Sequence, residues 1–329
     1  MKRSTIALAL LLIFLLSGWW YWFSASSNTS TTSSDPGLEL RPAPNFVADS
    51  AYAHIAKQLD FGPRVPGSPG HKKCKDWLVQ TLKGYGWEVE VQAFTGSLLD
   101  NRSVRGYNLI ARYQPSLGKR ILLAAHWDSR QVADKDSVRK DQPIPAANDG
   151  ASGPAVLLEI ARQLAQAKQK PNVGVDLVFF DVEDAGSTLD PTGKSWAQGS
   201  QYWASHLQPA GYRAYYGILL DMVGARDASF LQEGSSMMYA PGIVRNIWSI
   251  GQALGYGAYF RDESGIGITD DHTAVNELAK IQMIDIIDLK NNGSGFGAYH
   301  HTHQDNLAII DKQTLKAVGQ TVLQVLYQE

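Results

Sequence analysis

Phe179-Phe180-Asp181-Val182-Glu183-Asp184 is the stretch of this 329-residue chain whose residue types and spacing promise chemistry. An apolar, β-prone run over 175–180 delivers two adjacent carboxyl groups, Glu183 and Asp184, to the carboxyl end of an expected buried strand. Open α/β sheets bind their ligands outside that end. Two neighbouring acids there repel each other and are poorly solvated, so something must hold them ionised, and a metal ion would. Successive strand side chains point to opposite faces, so one acid can grip a metal while the other faces a substrate. An isolated Glu-Asp is usually a pair of solvated loop acids. Other segments of the same character argue against that here.

The run 121–125 leads into His126-Trp127-Asp128-Ser129, and Asn148-Asp149-Gly150-Ala151-Ser152-Gly153 opens a helix. The run 216–220 leads into Asp221-Met222-Val223-Gly224-Ala225, and His300-His301-Thr302-His303-Gln304-Asp305-Asn306 stands near the C-terminus. Each has a plain structural explanation: Asp149 as a helix N-cap, His126 as a hydrogen-bonded core histidine, the triple His as a surface turn. Together, at strand termini of one domain, they describe a site.

The elements that must position these residues follow from periodicity. Helical patterns over 47–59, 70–85, 153–166, 199–206, 242–254 and 311–328 alternate with strand patterns over 87–94, 106–113, 120–126, 175–181, 216–222 and 282–288. Such alternation predicts an α/β domain with a mixed, mostly parallel central β-sheet sandwiched by helices. Mixed strand directions are expected at one edge, from the early hairpin-like pair. Residues 45–329 read as one catalytic domain, preceded by a Ser-, Thr- and Pro-rich linker over 24–44.

Lys2 and Arg3 precede an uncharged stretch over 4–23 that closes in Trp19-Trp20-Tyr21-Trp22-Phe23. Its length is near the ~20 residues that span a bilayer, and the aromatic cluster suits a membrane interface. Residues 1–23 are therefore expected to be a membrane anchor, with the catalytic domain exported (to the periplasm in a bacterium). A cleaved signal sequence, cut near Ala25, is the competing reading, and it would make the protein secreted. With a net charge of −2 and scattered Lys and Arg, nucleic acid is not an expected partner. The single cysteine, Cys74, excludes an internal disulfide or a thiolate cluster, and reads as a partly buried, inert thiol on a helix.

In order, His-x-Asp-Ser, Asn-Asp-Gly-Ala-Ser-Gly, the acid pair, Asp-Met-Val-Gly and His-Thr resemble the zinc-dependent aminopeptidase clan. Within it the chain is similar to the animal-type glutaminyl-peptide cyclotransferases, from Phe61-Gly62-Pro63-Arg64 to the C-terminus. The resemblance implies Asp149, Asp184 and His301 as ligands of one zinc per chain, with Glu183 as the proton-transfer residue. An open coordination position is what a catalytic zinc requires. The family usually has Glu where Asp184 stands, which shifts the expected metal by about one bond length.

The clan's peptidases use two metals, the second bound by His126 and Asp221 with Asp149 shared, and this chain keeps those residues. Three features resemble the cyclases instead. Asp270 lies in Ile268-Thr269-Asp270-Asp271-His272, the insert 185–198 carries Trp196, and Asp221-Met222-Val223-Gly224-Ala225-Arg226 with Phe230 matches their strand end. His300 departs from the Trp usual before the metal His. The resemblance implies catalytic Glu183, Asp221 and Asp270, a pocket walled by Trp196, Ile268, Phe296 and His300, and peptides or proteins with N-terminal Gln as substrates. The expected reaction is conversion of that Gln to pyroglutamate with release of ammonia. The alternatives are aminopeptidase hydrolysis and, as a third class, a non-catalytic peptide-capture protein.

Overall fold

The computed structural model describes residues 38–291 and 295–329. In chain order come α1 (Ala48–Asp60), α2 (Pro69–Gly84), β1 (Glu88–Ser97), β2 (Ser103–Tyr113), β3 (Arg120–His126), α3 (Ser152–Gln166), β4 (Gly174–Phe180) and α4 (Gln198–Ser205). There follow β5 (Tyr216–Asp221), β6 (Phe230–Gln232), α5 (Gly234–Tyr239), α6 (Pro241–Ala253), β7 (Phe260–Ser264), α7 (Asp271–Ala274), β8 (Met283–Ile287) and α8 (Lys312–Gln328). The main sheet has the order β1-β2-β4-β3-β5-β8. Strands β4, β3, β5 and the edge strand β8 run parallel, and antiparallel pairing is confined to β1 with β2 and β2 with β4. This is the mixed, mostly parallel sheet expected from the sequence.

Every residue of β3, β4 and β5 is buried, as their near-continuous apolar runs require of parallel strands covered on both faces. Alternate residues divide between the faces. Ile121, Leu123 and Ala125 join Val175, Leu177 and Phe179 in the large core under α1, α2, α3, α6 and α8. Leu122, Ala124, Val178 and Phe180 face the smaller core with Trp203 of α4. Phe179 is fully buried in the larger core. Phe179→Ala is expected to cost about 3–5 kcal/mol by transfer and cavity terms, read as a lower denaturant midpoint at unchanged slope.

Because β3, β4, β5 and β8 run parallel, their carboxyl ends share one edge of the sheet. Helix α3 must start hard against that edge. A Cβ on Gly153 would lie 2.2 Å from the Leu220 carbonyl oxygen and 2.7 Å from the Ala125 Cβ. Only glycine lets the helix come so close.

Cys74 is completely buried, not partly, and burial pushes its thiol up to about 12. The parallel pair β6–β7, the short α5 and α7, and a π-helical turn over Val275–Ala279 have no periodic signal long enough to read from sequence. Ahead of α1, the Arg41 and Pro44 carbonyls accept from Gln324 and Gln320 of α8. The expected anchor, residues 1–23, lies outside the described residues. Among the described residues no helix is long and apolar enough to cross a membrane.

Candidate active site

The turn after β4 is held from several sides. His71 Nδ1 accepts the Gly67 N–H, leaving Nε2 to donate to Asp181 at 2.9–3.0 Å. Asp181 also accepts the N–H groups of Tyr107 and Val182. Val182, a β-branched residue, is forced to φ 56°, a conformation that costs of order 1–3 kcal/mol and persists only where its surroundings over-determine it. Packing with Phe94, Leu98 and Ala185 does so. The next two backbone N–H groups, of Glu183 and Asp184, donate to the two oxygens of Asp128 at 3.1 and 3.2 Å. The acid pair is thus aimed by a third, buried carboxylate.

Asp149 is aimed in the same manner. Asp305 accepts the N–H groups of Asn148 and Asp149 at 2.7 and 3.0 Å. Burial and the nearby Asp149 push the Asp305 carboxyl up to about 7, against these hydrogen bonds. Gly150 follows at φ 99°, where a Cβ would meet the Asp128 carbonyl oxygen at 2.1 Å. Arg64, fully buried, staples the two segments by donating to the carbonyls of Trp127, Pro145 and Ala146.

His301, also left-handed at φ 58°, brings its Nε2 to 3.2 Å from Asp184 Oδ1 and 3.7 Å from Asp149 Oδ2. Each of those two separations suits a pair of ligand atoms on one small cation with bonds of about 2.0–2.2 Å, although the trio whose ligand atoms all lie within 4.8 Å of one another around Asp149 and His301 takes in His300 and not Asp184. The other oxygen of Asp184 is buried with no hydrogen-bond partner, as a carboxylate awaiting a cation would be. The donors thus fit a zinc-type ion. A second trio shares Asp149: His126 Nε2 lies 3.2 Å from Asp149 and 3.1 Å from Asp221. His300 joins Asp149 and His301 in a third grouping, its Nε2 3.8 Å from Asp149.

One cavity of about 460 Å³ gathers the expected residues: Asp149, Glu183, Asp184, Trp196, Asp221, Ile268, Asp270, Phe296, His300 and His301 all line it. His126 does not line the cavity but touches three residues that do, its Nε2 lying 3.2 Å from Asp149 and 3.1 Å from Asp221 and its Nδ1 4.0 Å from Glu183. Burial pushes the Glu183 carboxyl well above its ordinary range, with His126 opposing and Asp270 and Asp184 adding to the rise. Burial likewise pushes Asp221 up to about 7, again with His126 opposing and Asp270 adding. Trp196 stacks over His301 with ring centroids 6.0 Å apart, and the Arg130 guanidinium lies 4.8 Å above the Trp196 ring.

Several participants were not singled out from sequence. Asp128 and Asp305 stood inside quoted motifs, but nothing local says which N–H groups they accept. Arg130 reaches Asp184 at 3.3 Å and pairs with Asp134, which lies 3.4 Å from His301 Nδ1. Lys135 donates to His300 Nδ1 at 2.6 Å. Asp285, His272 and Glu233 are wholly buried behind Asp270. His272 stood inside the quoted run 268–272, whereas Arg130, Asp134, Lys135, Asp285 and Glu233 sit in segments with no recognisable spacing.

Residues 108–326 match the model of peptidase family M28. The chain belongs to peptidase family M28. Among solved structures it is similar to a Bacteroides thetaiotaomicron glutaminyl cyclase bound to N-acetylhistamine, at 45% identity and TM-score 0.84, covering 88% of this chain and 100% of that one. A leucine aminopeptidase precursor from Bacteroides thetaiotaomicron is equally near, at 45% identity and TM-score 0.83 over the same shares. A curated relative, the glutaminyl-peptide cyclotransferase of Drosophila melanogaster, is 29% identical over 185 residues, 54% of this chain and 49% of that protein. The chain thus spans about half the length of that relative.

Proposed function

We propose that this M28 protein is a zinc-dependent glutaminyl-peptide cyclotransferase that turns N-terminal Gln of exported peptides or proteins into pyroglutamate and ammonia. The observation that carries the reading is the grouping of Glu183, Asp221 and Asp270 in one cavity with Trp196 packed on His301. Asp270 and the insert bearing Trp196 are the features that separate cyclase from peptidase in the sequence. Asp270 and Trp196 both line the same cavity.

The reaction is intramolecular: the α-amine attacks the γ-carboxamide carbon, a C–N bond forms, and the bond to the departing nitrogen breaks. Orientation and exclusion of bulk water supply much of such a rate. Asp149, Asp184 and His301 would hold the zinc, whose chemistry when bound is Lewis-acid polarisation of the γ-carbonyl oxygen. Glu183, with its raised carboxyl, takes the proton from the attacking amine and returns it to the leaving ammonia, and a single carboxylate serves both steps if it reaches both nitrogens. Asp221 and Asp270 share protons beside it and orient the leaving amide. Trp196, Ile268, Phe296 and His300 enclose the methylenes of the substrate. Residues 1–23 serve as the export segment or anchor, and 45–329 as the catalytic unit.

A Gln-initiated and a Leu-initiated dipeptide distinguish the readings. Ammonia from the first, with no free amino acid from either, is the expected result; free leucine without ammonia would assign the protein as an aminopeptidase.

A further inference from the structure

The cavity floor is acidic throughout, with Asp149, Glu183, Asp184, Asp221 and Asp270 all contributing. One lysine lines it: Lys135, which is also solvent-exposed and therefore sits at the rim. The imidazole of His300 spans floor and rim. Its Nε2 faces Asp149 at 3.8 Å while its Nδ1 accepts from Lys135 Nζ at 2.6 Å. The ammonium also lies 5.3 Å from the centroid of the Phe296 ring, and the Lys135 backbone N–H donates to the His301 carbonyl at 3.4 Å. These contacts hold the lysine in one place, an imidazole's width above the candidate metal ligands.

Building on the cyclase reading, we propose that Lys135 reads the second residue of the substrate and favours an acidic side chain there. A first-residue glutamine reaching the carboxylate floor with its side-chain amide leaves its backbone nearer the rim. Successive Cα atoms are about 3.8 Å apart, so the second residue leaves the cavity at the level of Lys135, not of Glu183. The floor acids suit the α-ammonium and would repel a carboxylate; Asp190, an acid that also lines the cavity, is already engaged by Thr192 and Ser195 of its own loop, so Lys135, the one basic group at the rim, sets the charge preference at that position. His300, standing where related cyclases have Trp, supplies the acceptor that docks the lysine. This specificity would therefore be absent where that position is an indole with no acceptor nitrogen.

The test uses the purified full chain and three C-terminally amidated tripeptides, Gln-Glu-Ala, Gln-Ala-Ala and Gln-Lys-Ala, with ammonia release as the readout. The expected result is a kcat/KM for the Glu peptide about two- to fivefold above the Ala peptide, the size of a partly solvated ion pair. The Lys peptide should be slower, with the differences in KM and shrinking as salt is raised. Lys135→Met should bring the Glu and Ala peptides to the same kcat/KM, and Lys135→Arg, which keeps the charge, should restore part of the ratio. Unfolding temperatures of both variants check that the fold is intact. An unchanged Glu-to-Ala ratio in Lys135→Met, or equal rates for the two peptides in the parent, overturns the proposal. No ammonia from any of the three peptides would instead overturn the cyclase reading on which it rests.

Discussion

Glu183→Gln should reduce kcat on a Gln-initiated peptide by about 10²–10⁴-fold, the usual contribution of a positioned general acid–base. Zinc content should be unchanged. The substitution keeps the shape of the side chain and the Glu183 N–H that donates to Asp128, so the turn presenting Asp184 is preserved. It removes the basic oxygen that accepts the α-amine proton. Since Glu183 and Asp184 are adjacent and both line the cavity, elemental analysis is the decisive companion measurement. Activity lost with zinc retained assigns Glu183 to proton transfer; zinc lost with it would mean that the two acids exchange roles.

Removing the metal should abolish turnover altogether and lower the unfolding temperature. A chelator is expected to strip about one equivalent of zinc, and re-addition should restore activity. A ligand present at about a thousand times its Kd stabilises the native state by about 4 kcal/mol, so the metal-free chain should melt distinctly earlier. His301→Ala should reproduce that state without a chelator, since Asp149 and Asp184 would be left facing each other without the imidazole that lies 3.7 and 3.2 Å from them. The single-metal reading makes a further demand. His126→Ala should leave zinc stoichiometry at one, because His126 is outside the Asp149, Asp184 and His301 set and does not line the cavity. Two equivalents in the parent, falling to one in that variant, would point to a peptidase-type pair.

Much of the site was legible in the sequence because its chemistry is written at strand ends. Glu183 and Asp184 follow β4, Asp221 closes β5, and His126 closes β3. An apolar run followed at once by acids or histidine marks such an end without any knowledge of neighbours. The hydrophobic periods that place the helices and strands are equally local. Asp128 and Asp305 differ. Each lies in a recognisable motif, yet its role is to accept N–H groups from residues 55–56 and 156–157 positions away in the chain. No local pattern encodes a partner at that separation. The Arg130–Asp134 pair beside His301 and the Glu233–His272–Asp285 cluster behind Asp270 were invisible for the same reason.

The sequence by itself determined the class of the fold, the order of its longer elements and which chemically competent side chains were candidates for the site, because side-chain type and periodicity are properties of short segments. Only the tertiary structure decided which of those side chains meet, how Val182 and His301 are held in left-handed conformations, and that Lys135 docks on His300 at the rim. Those outcomes depend on distances between segments remote in the chain, set by strand order and by the close approach of α3 that Gly153 permits. Packing fixes them, and packing is a property of the whole domain.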